Sequence, residues 1–469
     1  MRRPWVWRLR TAAGVITGVV LGVSMLTAVA SAASVAPARA GRAAQALLAG
    51  PVSRTPASGT PELAFPTGTV EQVRQLVECG GKMYAVGTFT MLSQNGTPFT
   101  RNNIFSFSAT SPYTITSWAP NVNGEVNSIA LSSGCADAYI GGSFTKVGGT
   151  SVENIAEINT TTGAVVPGFG TSANKQVNTL LLTPNGHLLA GGSFTSINGS
   201  SADPYYASLN PASGKDDGYL NLHVSGHYVY PNVGFNSTMV YNQQLSPDGA
   251  HVLAEGVFTS VGGSSRQQIF MLNLGSSQGN VSGWDSTEFN QHCATSHPFY
   301  VKAAAWSPDG STVYVADTGF APDGWNGSFP LTGLCDVVAA FPATQGGGLS
   351  HYWANYTGCD SLYSAAADSS AVYVGGHERW AHNANGCNHA GSGAITAQGM
   401  GGFTPGASGG TLLLNFNNTT GRYTRARGLG ADDMLLTSAG LWIASDNLGN
   451  ANQCGGVNNH AGICFLPYP

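Results

Sequence analysis

The densest group of chemistry-bearing side chains is His377-Glu378-Arg379-Trp380-Ala381-His382, followed by Cys387 and His389. In a chain with only 9 % charged residues, a Glu-Arg doublet between histidines stands out. Read as chemistry, His377 could serve as a general base and Arg379 could hold or neutralise a carboxylate. That is the equipment of a polysaccharide lyase. A glycoside hydrolase would instead need two carboxyl groups about 5–10 Å apart, for which Glu378, Asp317 and Asp446 are the candidates. Read as structure alone, Glu378 and Arg379 form an ion pair. The string is close to the zinc-protease motif, but His382 comes one residue too late and the segment follows a strand. The two histidines therefore would not share a helical face, and no metal is assigned to His377, His382 and His389.

Other constellations are thinner. Asp317, Asp323, Asp446 and Asn447 offer oxygen ligands of the kind Ca²⁺ takes. Asp and Asn also populate turns for backbone reasons, so no cofactor is assigned. Gly406-Ala407-Ser408-Gly409-Gly410 matches the nucleophile-elbow string, but it lies in a glycine-rich loop without the strand-turn-helix context that chemistry needs.

Charge separates two parts of the chain. Residues 1–61 hold seven of the 19 basic residues and none of the 24 acids, which leaves a net charge of −12 on residues 62–469. Arg2, Arg3, Arg8 and Arg10 precede an apolar run and the small residues Ala30-Ser31-Ala32. This is the order of a secretory signal peptide over residues 1–32, and it predicts a secreted, extracellular protein with no membrane segment after cleavage. Residues 33–61 read as a disordered Ala/Pro-rich spacer. An acidic mature chain lacks the cationic face that nucleic acid or anionic lipid requires.

The residues above must be held by something, and a repeat supplies it. Val177-Asn-Thr-Leu-Leu-Leu, Thr-Pro-Asn-Gly and His187-Leu-Leu-Ala-Gly-Gly-Ser-Phe form one copy: strand, turn, strand. Equivalent hairpins end at the anchors Gly87, Gly142, Gly192, Gly256, Asp317, Gly376 and Ser445. The anchors recur about every 60 residues, room for roughly four strands per copy, as in a propeller blade. The expected fold is all-β: a seven-bladed β-propeller over residues 62–469, closed by N- and C-terminal strands sharing one blade. Copies ending Gly141-Gly142-Ser143-Phe144, Gly191-Gly192-Ser193-Phe194 and Val86-Gly87-Thr88-Phe89 resemble the delta-60 repeat, a β-propeller repeat of unknown function in bacterial proteins. The resemblance implies a fold and no activity.

On this reading, segments 221–236, 284–300, 318–335, 351–360, 377–402 and 447–462 crowd one side of the ring. They carry nine of the eleven histidines: His223, His227, His292, His297, His351, His377, His382, His389 and His460. They also carry Tyr228, Tyr230, Trp284, Phe299, Tyr300, Trp325, Tyr352, Trp353, Tyr356 and Trp380. Ring faces beside Asn, Asp and His suit a neutral polar ligand such as a sugar; long loops also pack on their own aromatics. Eight cysteines in an exported chain point to disulfides. Their places in the repeat pair Cys293 with Cys335, Cys359 with Cys387, Cys454 with Cys464 and Cys79 with Cys135. The expected protein is a monomer that binds an extracellular polysaccharide or surface protein through Trp380, His382, Asp317, Asp446, Trp325, Trp353 and Tyr356. The alternatives are a carbohydrate-active enzyme using His377, Glu378 and Arg379 on the same face, and a structural scaffold without a pocket.

Overall fold

The computed structural model describes residues 51–64, 70–230, 233–234, 236–290, 292–414, 430–447, 454 and 460–469. The expected signal peptide and the spacer up to residue 50 lie outside the described residues. Apart from one 3-10 turn at Thr287–Phe289, every regular element among the described residues is a strand or bridge.

Each of the seven hairpins seen in the sequence opens an antiparallel sheet. The first sheet is Gln72–Cys79, Lys82–Thr88 and Ile104–Ser108. The second is Glu125–Leu131, Asp137–Ser143 and Ile155–Asn159, and the third is Val177–Leu182, Leu188–Gly192 and Tyr206–Leu209. The fourth runs Met239–Leu245, His251–Val257, Ile269–Leu274 and Gly279–Val281. The fifth runs Val301–Trp306, Thr312–Asp317, Val337–Pro342 and Trp353–Tyr356. The sixth is Leu362–Ala367, Val372–Gly376 and Met400–Phe403; the seventh is Asp433–Thr437, Gly440–Ala444 and Ile463–Pro467.

Strands with both faces covered read as apolar runs, because neither side meets water. Val313, Tyr314, Val315 and Ala316 of the fifth sheet are all buried. Seven apolar clusters fill the spaces between successive sheets. One of them joins the last sheet to the first: Trp442 and Phe465 pack with Phe105, Phe107 and Tyr113.

The first strands share a local device. In six sheets the register slips by one residue just inside the strand, after Val73, Val126, Val177, Val240, Val301 and Leu362. Such a β-bulge leaves one residue unpaired and bends the strand. It also explains the recurrent glycine opposite. A Cβ on Gly87, Gly142, Gly192, Gly256 or Gly376 would strike the carbonyl oxygen of Gln72, Glu125, Gln176, Met239 or Ser361.

Residues 51–61 correct the spacer reading. The Ser53 and Ala57 amides donate to the carbonyls of Pro467 and Phe465 at 2.7 and 2.9 Å. Val52 is buried, and its amide donates to the Tyr373 hydroxyl. This segment therefore lies along the outer edge of the seventh sheet.

The disulfides are Cys79–Cys135, Cys293–Cys335, Cys359–Cys387 and Cys454–Cys464. Cys79–Cys135 links the hairpin turns of the first two sheets, while Cys293–Cys335 and Cys359–Cys387 tie long loops to the fifth and sixth. Replacing Cys293 and Cys335 with serine is expected to cost about 2–4 kcal/mol. Urea unfolding should show a lower midpoint, with a slope no smaller than wild type because the unfolded chain is less constrained.

Candidate functional site

A cavity of about 330 Å³ opens where the loops of the fifth and sixth sheets meet. Five residues at strand ends build it. Tyr300 stands just before the fifth sheet's first strand, and Ser361 and Tyr363 flank Leu362 at the start of the sixth. Asp336 precedes Val337–Pro342, and His377 follows Val372–Gly376. Phe320 and His297 close the loop side, with rings stacked 4.4 Å apart.

Asp336 is the cavity's most unusual group. It is 1 % exposed, and its oxygens accept the Phe320 amide at 3.0 Å and the Ser361 hydroxyl at 2.9 Å. Burial pushes its carboxyl up to about 7, with the neighbouring Asp360 charge adding to the rise. Asp360 itself is neutralised: the Arg379 guanidinium donates to both of its oxygens at 2.7 and 2.6 Å. The same guanidinium lies 4.4 Å over the Trp380 ring. His377 Nδ1 is 3.4 Å from the Tyr363 hydroxyl, and its Nε2 is buried with no hydrogen-bond partner. Burial pushes the Tyr363 hydroxyl up to about 12.

The repeat explains why these residues sit here. The position before each third strand is a left-handed residue, and in four sheets its side chain reaches toward the next sheet. Asn103 (φ 66°) accepts the Phe89 amide and donates to the Val122 carbonyl, and Asn154 (φ 63°) donates to the Ala173 carbonyl. Gln268 (φ 67°) accepts the Val301 amide and donates to the Phe289 carbonyl. In the fifth sheet this position is Asp336 (φ 57°), a carboxyl where the first, second and fourth sheets have a carboxamide, the third Tyr205 and the sixth and seventh Gly399 and Gly462.

The remaining candidates fall elsewhere. Glu378 occupies the slot that Phe89, Phe144, Phe194 and Phe258 fill in other sheets; it is 3 % exposed and neither carboxyl oxygen has a hydrogen-bond partner. Burial pushes the Glu378 and Asp317 carboxyls well up. Asp317 Oδ1 accepts the Val337 amide, and Asp446 Oδ2 accepts the Gly430 amide. Sealed in this way, Glu378 and Asp317 do not offer the paired, accessible carboxylates that a glycosidase needs. Nor is Arg379 bonded to Glu378, since Asp360 takes its guanidinium. Of the oxygen-ligand quartet, Asp323 is exposed, while Asn447 is buried and bonded to the Glu71 amide and Ala64 carbonyl. Among the described residues, the cluster with metal-ligand spacing is His292, Cys293 and Cys335, whose cysteines form a disulfide.

The aromatics of these segments are tied to neighbouring backbone. Trp325, Trp353 and Tyr356 donate to the carbonyls of Ser328, Gly406 and Gly333. His382 is held by Asn355 and by the Leu412 amide, and burial lowers its pKa. Neither these residues nor Trp380 line the cavity.

A second cavity, of about 160 Å³, lies among the first strands. Its wall carries all six bulged residues, Arg74, Asn127, Asn178, Tyr241, Lys302 and Tyr363, together with Asp432. Several of them clasp the next sheet: Arg74 bonds Glu125 and Asp432, Asn127 the Val177 carbonyl, and Asn178 the Val240 carbonyl. Tyr363 borders both cavities.

A family model described as "Domain of unknown function (DUF5122) beta-propeller" matches residues 183–203, which hold the second strand of the third sheet. The described residues form an all-β chain of successive antiparallel sheets, in keeping with this short match. Among solved structures it is similar to "Structure of U3-55K" at 10 % identity, covering 87 % of this chain and 98 % of that one, with a TM-score of 0.46. It is also similar to "Crystal structure of RRP9 WD40 repeats" at 9 % identity, covering 88 % and 100 %, with a TM-score of 0.45. No curated protein matches the sequence. No helix among the described residues is long and apolar enough to cross a membrane. Four disulfides fit an oxidising, extracytoplasmic compartment.

Proposed function

We propose that this protein is a secreted, seven-bladed propeller of the delta-60 type that binds an extracellular polysaccharide in the cavity between the fifth and sixth blades. Supporting the ring is the cluster that joins Trp442 and Phe465 to Phe105 and Phe107. Residues 51–57 act as the outer strand of the seventh blade, so both ends of the chain share it.

The observation that carries the binding reading is the cavity itself. Its volume of about 330 Å³ is that of a small-ligand site. The rings of Tyr300, Phe320 and Tyr363 offer apolar faces to sugar C–H groups, while Ser361, Asn388 and His377 offer polar atoms. His377→Ala is expected to weaken retention on a matching polysaccharide about tenfold, by removing a ring and a hydrogen-bonding edge. Affinity electrophoresis of wild type and variant across a polymer panel measures this. If wild type is retarded by no polymer, the reading falls.

One observation favours an enzyme as the second reading. Asp336, pushed up to about 7, is poised to take and give a proton inside the cavity. New reducing ends or unsaturated products in the same panel, lost in Asp336→Asn, would establish catalysis.

A further inference from the structure

We propose that the ligand of this cavity carries protonated amines, and that Asp336 is the group that recognises them: the polymer is an amino sugar with free amino groups. The inference rests on the polysaccharide reading and adds the chemistry that selects among polysaccharides.

Two carboxyl groups line the cavity, and no lysine or arginine does. Asp360 is matched by Arg379, so its charge is spent within the wall. Asp336 takes part in no ion pair among the described residues. A buried carboxylate without a counter-ion is costly, so such a group holds its proton until a cation pairs with it.

The fold did not require that carboxyl. At equivalent positions Asn103, Asn154 and Gln268 make the same inter-sheet clasp with a neutral amide. The Phe320 amide and Ser361 hydroxyl would be served equally well by Asn at 336, whose amide would donate to Ser361. The acid is therefore an addition to the fold, placed in the one such clasp that borders this cavity.

Its surroundings suit an ammonium group. Tyr300, Tyr363 and Phe320 line the same space, and aromatic faces attract cations once water is excluded. An ammonium also has three donors, and a carboxyl has more acceptor sites than the Phe320 amide and Ser361 hydroxyl use. A carboxyl pushed up to about 7 is the behaviour of such a group before its cation arrives.

The test is calorimetry on the full secreted protein with soluble glucosamine oligomers, their N-acetylated counterparts and glucose oligomers. Wild type is expected to bind the free-amine oligomer at least tenfold more tightly than the other two. Asp336→Asn is expected to lose that preference while keeping wild-type circular dichroism. Equal affinity for free and acetylated oligomers, or a preference that survives in Asp336→Asn, overturns the inference and leaves the polysaccharide reading standing. Binding of a lysine peptide in preference to every sugar overturns both, as does failure to bind any oligomer or polymer. The wild-type comparison decides the matter even if the variant does not fold.

Discussion

Replacing Trp442 with alanine is expected to lower stability by about 3–5 kcal/mol, the range for removing a fully buried tryptophan. Trp442 is 1 % exposed and lies 4.3 Å from the Phe465 ring, 5.5 Å from Phe107 and 5.7 Å from Tyr113. Phe465 belongs to the last sheet; Phe107 and Tyr113 belong to the first sheet and the chain that follows it. The loss should therefore appear first where the two ends of the chain meet. Hydrogen exchange should show lost protection in residues 72–79 and 440–444, with residues 239–257 retaining theirs until global unfolding. Uniform loss of protection would show instead that the sheets unfold as one unit from every side.

Replacing Glu378 should act in the opposite direction. Its carboxyl fills a phenylalanine slot without a hydrogen-bond partner, and an unmade buried hydrogen bond costs about 1–3 kcal/mol. Glu378→Leu is expected to raise stability by about that amount. The gain should grow with pH. Burial holds the Glu378 proton on in the folded chain at pH values where the unfolded chain has lost it. The folded state is thus favoured below the ordinary carboxylate range, and that advantage drains away as pH rises toward neutrality and beyond. Asp317 and Asp336 are pushed the same way, Asp336 to about 7. Wild-type stability should accordingly fall between about pH 5 and pH 8. Glu378→Gln should flatten part of that slope, as urea midpoints across the range would show.

Much of the architecture was legible in the sequence because the repeat is carried by short-range signals. The hairpins at Val177–Leu182 and Leu188–Gly192 announce themselves by apolar runs around an Asn-Gly turn. Once hairpins are aligned, cysteines at equivalent turns become neighbours, and the four disulfides join the same cysteines that the alignment pairs. The recurrent glycine was visible too, but its cause was not: it faces a carbonyl two residues before the bulge, and a bulge leaves no mark on apolar periodicity.

The site was harder. His377 was found by composition, and it does border the cavity. Its neighbours Glu378 and Arg379 were singled out for charge, yet one is sealed in a phenylalanine slot and the other is bound to Asp360. Charge scarcity finds unusual residues without distinguishing display from burial. Asp336 escaped notice because an aspartate before a strand looks like turn chemistry. The useful signal was an internal comparison: Asn103, Asn154 and Gln268 precede their third strands, and only alignment of the copies shows Asp336 among them.

The bulges have a consequence for engineering. Arg74, Asn127, Asn178, Tyr241, Lys302 and Tyr363 each occupy the residue that the ladder skips. Their side chains line a common space while the pairing on either side proceeds without them. Substituting them changes the polarity of that space without removing a ladder hydrogen bond, though at Arg74, Asn127 and Asn178 it also removes a bond to a neighbouring sheet. The molecule thus offers six equivalent positions around one space, of which those without an inter-sheet clasp are the ones on which a different polarity could be installed.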